Sequence, residues 1–308
     1  MKARKTESMK VYKVKDIATF EHDPDGRLIC PSGDYSLIKE FPDNCSFDGS
    51  CRFGERTVFG EVCDFGRDCT FGFHCSFGKN CSFYPDSVFS DGCVFGKECR
   101  FRSWCHFSSW CRFGDDCVFD SFCRFASSCH FYVGCRFGSS CHFAEWCSFC
   151  KGCEFGCWCI FAAECSFQKR CSFSYSNSFG ERCSFGERCS FEEVCVFGSG
   201  CHFLEHCSFG QRCDFGEKCN LENNLKFENI KAPVERVLKI DRIGSRKGCT
   251  YFFKTPNKIY VRCGCFFGTL AKFKAAVKDT HSDHEQYRKE YLEAIKYVKA
   301  VMQGGSKK

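Results

Sequence analysis

Residues 93–119 read CVFGKECRFRSWCHFSSWCRFGDDCVF, four and a half passes of one six-residue unit in which Phe follows Cys two places later. Followed outward in both directions, the Cys lattice runs from Cys45 to Cys219 and fills 27 of its 30 positions, with Thr57, Ser87 and Asn177 as the exceptions. Phe holds 29 consecutive sites from Phe47 to Phe215, before Leu221 and Phe227 close the series. Six cysteines lie off the lattice: Cys30, Cys150, Cys157, Cys249, Cys263 and Cys265. A period of six is too short for a helical hairpin repeat and does not fit the α-helical turn, so each unit reads as one short strand and one corner. Alternation along Cys-x-Phe sends Cys and Phe to one face and the middle residue to the other. The middle residues are mostly polar, so Cys and Phe point inward. Gly follows Phe in 14 units, where a corner calls for a residue tolerant of unusual backbone angles. The expected class is mainly β, a β-solenoid followed by a small α+β domain.

The composition narrows the setting. The chain has 308 residues, 33 Cys and 39 Phe. A Cys share above about 8 per cent marks small secreted disulfide scaffolds of under about 100 residues, and this chain is far longer. No apolar run approaches the roughly 18 residues of a membrane span. The start, MKARKTESMK, has no hydrophobic segment behind its basic residues to make a signal peptide. The expectation is a soluble, cytoplasmic protein whose thiols stay reduced.

Reframed from Phe, the unit FGxxCx over residues 45 to about 224 resembles the hexapeptide repeat of left-handed β-helix proteins, with Phe where that family carries Ile, Leu or Val. The resemblance implies three units per triangular coil of 18 residues, hence about ten coils and a rod of roughly 48 Å. A two-sided coil remains open. It would stack Arg100, Arg112, Arg124 and Arg136 in one unfavourable ladder of like charge, yet His106, His130, His142 and His202 share the same twelve-residue phase. For the cysteines, a metal store, a redox ladder and a disulfide zipper compete with plain steric fit. The replacements Thr, Ser and Asn share small size and lack thiol chemistry, which favours Cys as a small filler beside the Phe stack.

Three segments follow: 1–44 as lead-in and cap, 45–224 as solenoid, 225–308 as a basic α+β module. In the first, VYKV reads as a short strand, DPDG at 23–26 as a turn and ICPSGDYSLIKEF as an irregular stretch. In the last, 237–243, 250–255 and 258–266 read as strands, Thr269 caps a helix to about Val277, and Ser282 with Glu285 forms a capping box. The helix behind it places Tyr287, Tyr291, Ile295, Val298 and Met302 toward the strands. TYFFKT and IYVRCGCFFGTLAKFKAAVKDTH resemble a terminal module of hexapeptide-repeat proteins from phages and gut bacteria. That resemblance implies a phage-encoded protein of the host cytoplasm or virion, and no particular chemistry.

Candidate sites are few. Trp104, Trp110, Trp146 and Trp158 share one corner position, five residues after the lattice Cys. A three-sided coil puts Trp104, Phe122 and Trp158 on one edge and Trp110 and Trp146 on another, as contact surfaces for a protein partner or self-association. Lys and Arg against Asp and Glu sum to zero over 1–44, −5 over 45–224 and +11 over 225–308. Lys239, Arg242, Arg246, Lys247, Lys254, Lys258 and Arg262 are therefore candidates for nucleic-acid contact. Cys249, Cys263, Cys265 and His281 are a weak zinc candidate, because Val261, Cys263 and Cys265 also alternate onto one strand face. The family resembled includes acyltransferases, which have a loop inserted between coils; here the register is unbroken, and no nucleophile with a paired base is evident. No catalytic residue, cofactor, membrane contact or small-molecule substrate is expected. The leading reading is a non-enzymatic structural or interaction protein; a nucleic-acid-binding adaptor is second and an acyltransferase third.

Overall fold

The computed structural model describes residues 9–216, 219–221, 225–244 and 247–303, without the side chains of Pro233 and Gln303. Each hexapeptide forms a strand of two residues, three at Cys45–Phe47, and successive coils pair in parallel at a separation of 18 residues, as Ser82 and Phe83 do with Arg100 and Phe101. Three units therefore complete one coil. The strands collect into three sheets, a first face of 13 strands and second and third faces of 11 each. The two-sided alternative is overturned, and the like-charge ladder is avoided as the sequence suggested. Arg100 and Arg136 share the first face with Val118 between them. Arg112 lies on the third face and Arg124 on the second.

The Phe rings of the repeat lattice, Phe47 to Phe215, point into the coil, where they form three columns. Phe119 stacks on Phe101 and Phe137 at 4.7 and 4.8 Å, and meets Phe113 and Phe125 edge-on at 5.0 and 5.1 Å. Parallel neighbours within a column and perpendicular neighbours between columns are the two arrangements the ring quadrupole favours. An aliphatic residue would supply comparable burial without this angular preference. Each buried ring contributes roughly 1.5–3 kcal/mol.

The thiols are all free and those of the lattice are inward, but steric fit is only half of their role. The Cys141 sulfur donates to the Asp120 carbonyl at 3.5 Å and accepts from the backbone N–H of Cys123. The carbonyl belongs to the residue after Phe in the coil below, and the pattern recurs from Cys69 to Cys219. The three replacements donate as well, but to the residue after Phe in their own coil: Thr57 and Ser87 to the Gly54 and Tyr84 carbonyls at 3.0 and 2.9 Å. Asn177 donates to Ser174 O at 2.6 Å while its own oxygen accepts from Cys159 N at 2.8 Å. What the position requires is a small group that both donates and accepts, because the coil buries a carbonyl and an N–H beside it.

The glycines also act differently from expectation. Gly96 and Gly114, each following Phe, have ordinary backbone angles; a Cβ on either would come within 2.7 Å of backbone atoms in the coil below. They serve close approach. The left-handed conformation falls instead on the residue before Cys, as at Asn80 and Ser128 (φ 57° and 63°).

The stack begins earlier than the Cys lattice. Leu28–Cys30, Asp34–Tyr35 and Glu40–Phe41 form a coil in register with the next, Tyr35 aligning with Phe53. The stretch ICPSGDYSLIKEF is thus the first coil, written with Tyr and Cys30 in place of two Phe. Over it lies the cap: Tyr12 stacks on Tyr35 at 4.9 Å and Phe20 meets Tyr12 edge-on. VYKV supplies only a single bridge at Val11, and its last residue begins the short helix α1, Val14–Ile17. The turn at 23–26 is present, with Gly26 at φ 79°.

At the other end a four-stranded antiparallel sheet, Arg236–Ile243, Gly248–Lys254, Ile259–Cys263 and Phe266–Thr269, covers the last coil. Tyr251 and Phe253 join the rod's core while Phe252 and Val261 face the helices. The run 258–266 is two strands joined by a turn at Gly264 and Cys265, so Cys265 is exposed there instead of alternating with Cys263. Helix α2, Leu270–Thr280, is capped by Thr269. Helix α3, Glu285–Gln303, starts at the second partner of the expected box, leaving Ser282 in the preceding turn. Tyr291, Ile295, Val298 and Met302 are buried on its inner side. Among the described residues no helix is long and apolar enough to cross a membrane.

Candidate interaction face

Trp104 precedes the strand His106–Phe107 and Trp110 follows it; Phe122 precedes Arg124–Phe125, Trp146 follows His142–Phe143, and Trp158 precedes Ile160–Phe161. All four strands belong to the second face. The five aromatic residues therefore form the two rims of one face, an arrangement that the separate edges read from the sequence did not reveal. Trp104 and Phe122 stack at 4.6 Å along one rim. Trp158 on the same rim meets Tyr175 edge-on at 5.3 Å. All five are exposed, Trp110 most, at 66%.

Their backbone makes this costly. The five sit at φ between 55° and 67°, a left-handed conformation that costs an ordinary side chain roughly 1–2 kcal/mol. The equivalent corner carries glycine at Gly92, Gly134, Gly152 and Gly200. Large rings are thus held at strained positions and left in water, where a residue without strain is available.

Between the rims the outward ladder reads Val88, His106, Arg124, His142, Ile160. It borders a shallow trough of about 640 Å³ floored by Ser108, Ala126, Ala144 and Ala162. Burial first, and the Arg124 charge second, lower the His142 pKa, so the imidazole is neutral at pH 7. A larger hollow of about 1260 Å³ lies beside the terminal hairpin, but Glu192, Glu193, Lys226, Glu228 and Lys231 around it are of mixed sign.

Of the basic candidates, Lys239, Arg242 and Lys247 line one hollow of about 640 Å³ together with Asp241, Glu290 and Glu293. Arg262 donates to the Cys213 carbonyl and lies over the Tyr251 ring at 4.5 Å. Lys239 donates to Phe215 O at 2.8 Å. Both tie the terminal sheet to the last coil. Lys254 bonds Thr255 O and pairs with Glu235, and Lys247 pairs with Glu290. Arg242 and Lys258 are exposed, and Arg246 lies outside the described residues. Cys249, Cys263, Cys265 and His281 line one hollow of about 380 Å³. Among the described residues no group of three or more His, Cys, Asp or Glu is placed to hold a metal ion. Cys263 is engaged by Thr250 at 3.2 Å and by Tyr291 at 3.6 Å.

On the third face His130 Nδ1 lies 2.5 Å from Ser148 Oγ, with Cys150 Sγ 3.8 Å from the other ring nitrogen. Their positions at 18- and 20-residue separations could have been read from the sequence once three sides were assumed. Burial, then Arg112, lowers the His130 pKa, and burial raises that of Cys150. Both groups are therefore uncharged at neutral pH, which does not suit a thiolate nucleophile.

No protein-family model, curated protein or solved structure matches the chain.

Proposed function

We propose that the protein is a non-enzymatic structural and interaction component: a rigid rod, closed at both ends, whose second face binds a protein partner between its aromatic rims. The observation that carries this is the placement of Trp104, Phe122, Trp158, Trp110 and Trp146 around a single face, exposed and in strained conformations. The left-handed angle is common to the corners of the repeat, so what sets these five apart is their size and exposure, and tryptophan is among the side chains most enriched where binding energy concentrates. The strand register also continues without an inserted loop from Leu28 to Leu221, which supports a scaffold over an enzyme. An origin in phages or gut bacteria has only the resemblance of the terminal module behind it.

The test compares the full chain with a variant in which all five rings become Ser, the residue already present at Ser128 and Ser140 in the same columns. A protein that co-purifies in fixed proportion with the wild type and not with the folded variant supports the reading. Equal recovery with both, or none with either, refutes it.

A further inference from the structure

We propose that the occupant of the second face is an acidic, aliphatic segment of a partner protein, which rests on the interaction reading above. Three observations define its chemistry. Arg124, exposed at the centre of the ladder, makes no ion pair among the described residues. Of the carboxylates at the rims, Asp120 pairs with Arg102 at 3.5 Å, Asp91 accepts from Ser109 N at 2.9 Å and keeps its charge, and Glu145 lies exposed beside Trp146. On the ladder itself, between the two rims, the one formal charge is that of Arg124. Val88 and Ile160, both exposed, bound the stretch of ladder that the rims enclose, beyond which it continues to Thr70 and Ser178, and Ala126, Ala144 and Ala162 floor it. A carboxylate opposite Arg124 with aliphatic side chains on either side complements this order.

The other occupants fit less well. A second copy placed face to face about a two-fold axis through this centre would oppose Arg124 to Arg124, and like charges brought together at an interface cost several kcal/mol. The ends of the chain, MKARKTES and GGSKK, carry a positive excess of their own. A nucleic acid needs several cations, one for each phosphate neutralised, and this stretch of the ladder offers one. From Val88 to Ile160 is four strand spacings, about 19 Å, the length of about 13 residues of helix.

The experiment places a photo-reactive residue on the face of the full chain, Trp110→p-benzoylphenylalanine, with Ser82→p-benzoylphenylalanine on the first face as control. Both are irradiated in the cells that make the protein, and the attached peptide is sequenced. The expected adduct is a protein segment with excess Asp and Glu among aliphatic residues. Arg124→Glu should lower its yield at least tenfold, and Lys in place of the captured acid should restore it. An adduct with nucleic acid, with a second copy, or with a segment lacking excess acid overturns the proposal, as does a yield indifferent to Arg124→Glu. Each of those outcomes except nucleic acid leaves protein binding at this face standing. A yield no higher than the control removes both.

Discussion

Replacing Cys141 separates the two roles a buried thiol can have in the coil. If sulfur were only bulk, Ala would be the mildest replacement and Ser, more polar, the worse one. The geometry orders them the other way. Cys141→Ala leaves the Asp120 carbonyl and the Cys123 N–H without partners in the interior. An unsatisfied buried group costs about 1–3 kcal/mol, and the weak S–H places each of these near the lower end. A void the size of one sulfur adds about 0.5 kcal/mol, for a total near 2.5 kcal/mol. Cys141→Ser keeps a donor and an acceptor in place and should cost less than about 1 kcal/mol. The assay is native-state hydrogen exchange at the Cys123 amide, which reads local opening in a repeat array where global unfolding is not two-state. At about 1.4 kcal/mol per factor of ten, Ala should accelerate exchange roughly 60-fold and Ser less than about fivefold. Exchange equal in the two variants, or faster in Ser, would refute the hydrogen-bonding account and leave steric fit alone.

Three further outcomes are expected. Phe125→Ala removes a ring stacked on Phe107 and Phe143 at 4.8 Å and should cost about 3–5 kcal/mol; a denaturation midpoint moved by less than a third of that would show the columns to be loosely packed. Trp110→Gly should hold or slightly raise the thermal midpoint, because relief of about 1–2 kcal/mol of left-handed strain exceeds the roughly 0.5–1 kcal/mol entropic cost of glycine, while partner binding falls; a clear drop in the midpoint contradicts the strain argument. In alkali the rod should lose stability: the Cys183 thiol is pushed up to about 12, by its hydrogen bond to Cys165 first and burial second, and Cys201 likewise by Cys183 and burial. Below the ordinary thiol value of 9.0 both states are protonated and nothing changes; between 9 and 12 the unfolded chain loses protons first, so each such thiol subtracts stability as pH rises. A midpoint flat from pH 8 to 11 would contradict protonated thiol columns.

The rod was legible because its two periods are so regular. Six residues define a strand and a corner, and the spread of Arg100, Arg112 and Arg124 over three faces argues against two sides from the sequence alone. What escaped was chemistry without a periodic signature. The coil Leu28–Phe41 replaces Phe with Tyr35 and Cys30, so a search for identical units passes over it, although the strand pairing depends on backbone and volume instead of identity. Thr57, Ser87 and Asn177 carry the clue to the thiols' hydrogen bonds, since Ala or Val would match the size equally well and only these three also bring a donor. Lys239 and Arg262 count as charge in a sequence, whereas their carbonyl partners on Phe215 and Cys213 appear only when the sheet lies over the last coil. The aromatic rims needed the further step of asking which strand each Trp adjoins.

The 18-residue turn has a bearing on how such a chain can change length. Duplicating or deleting three hexapeptides shifts everything beyond by one strand spacing and preserves what each side displays. A gain or loss of a single hexapeptide instead rotates all later coils by a third of a revolution, so that Trp158 and Ile160 would part company with Arg124 although every unit still folded. Growth by whole turns is silent to a partner, and growth by one unit would dismantle its binding surface without unfolding anything.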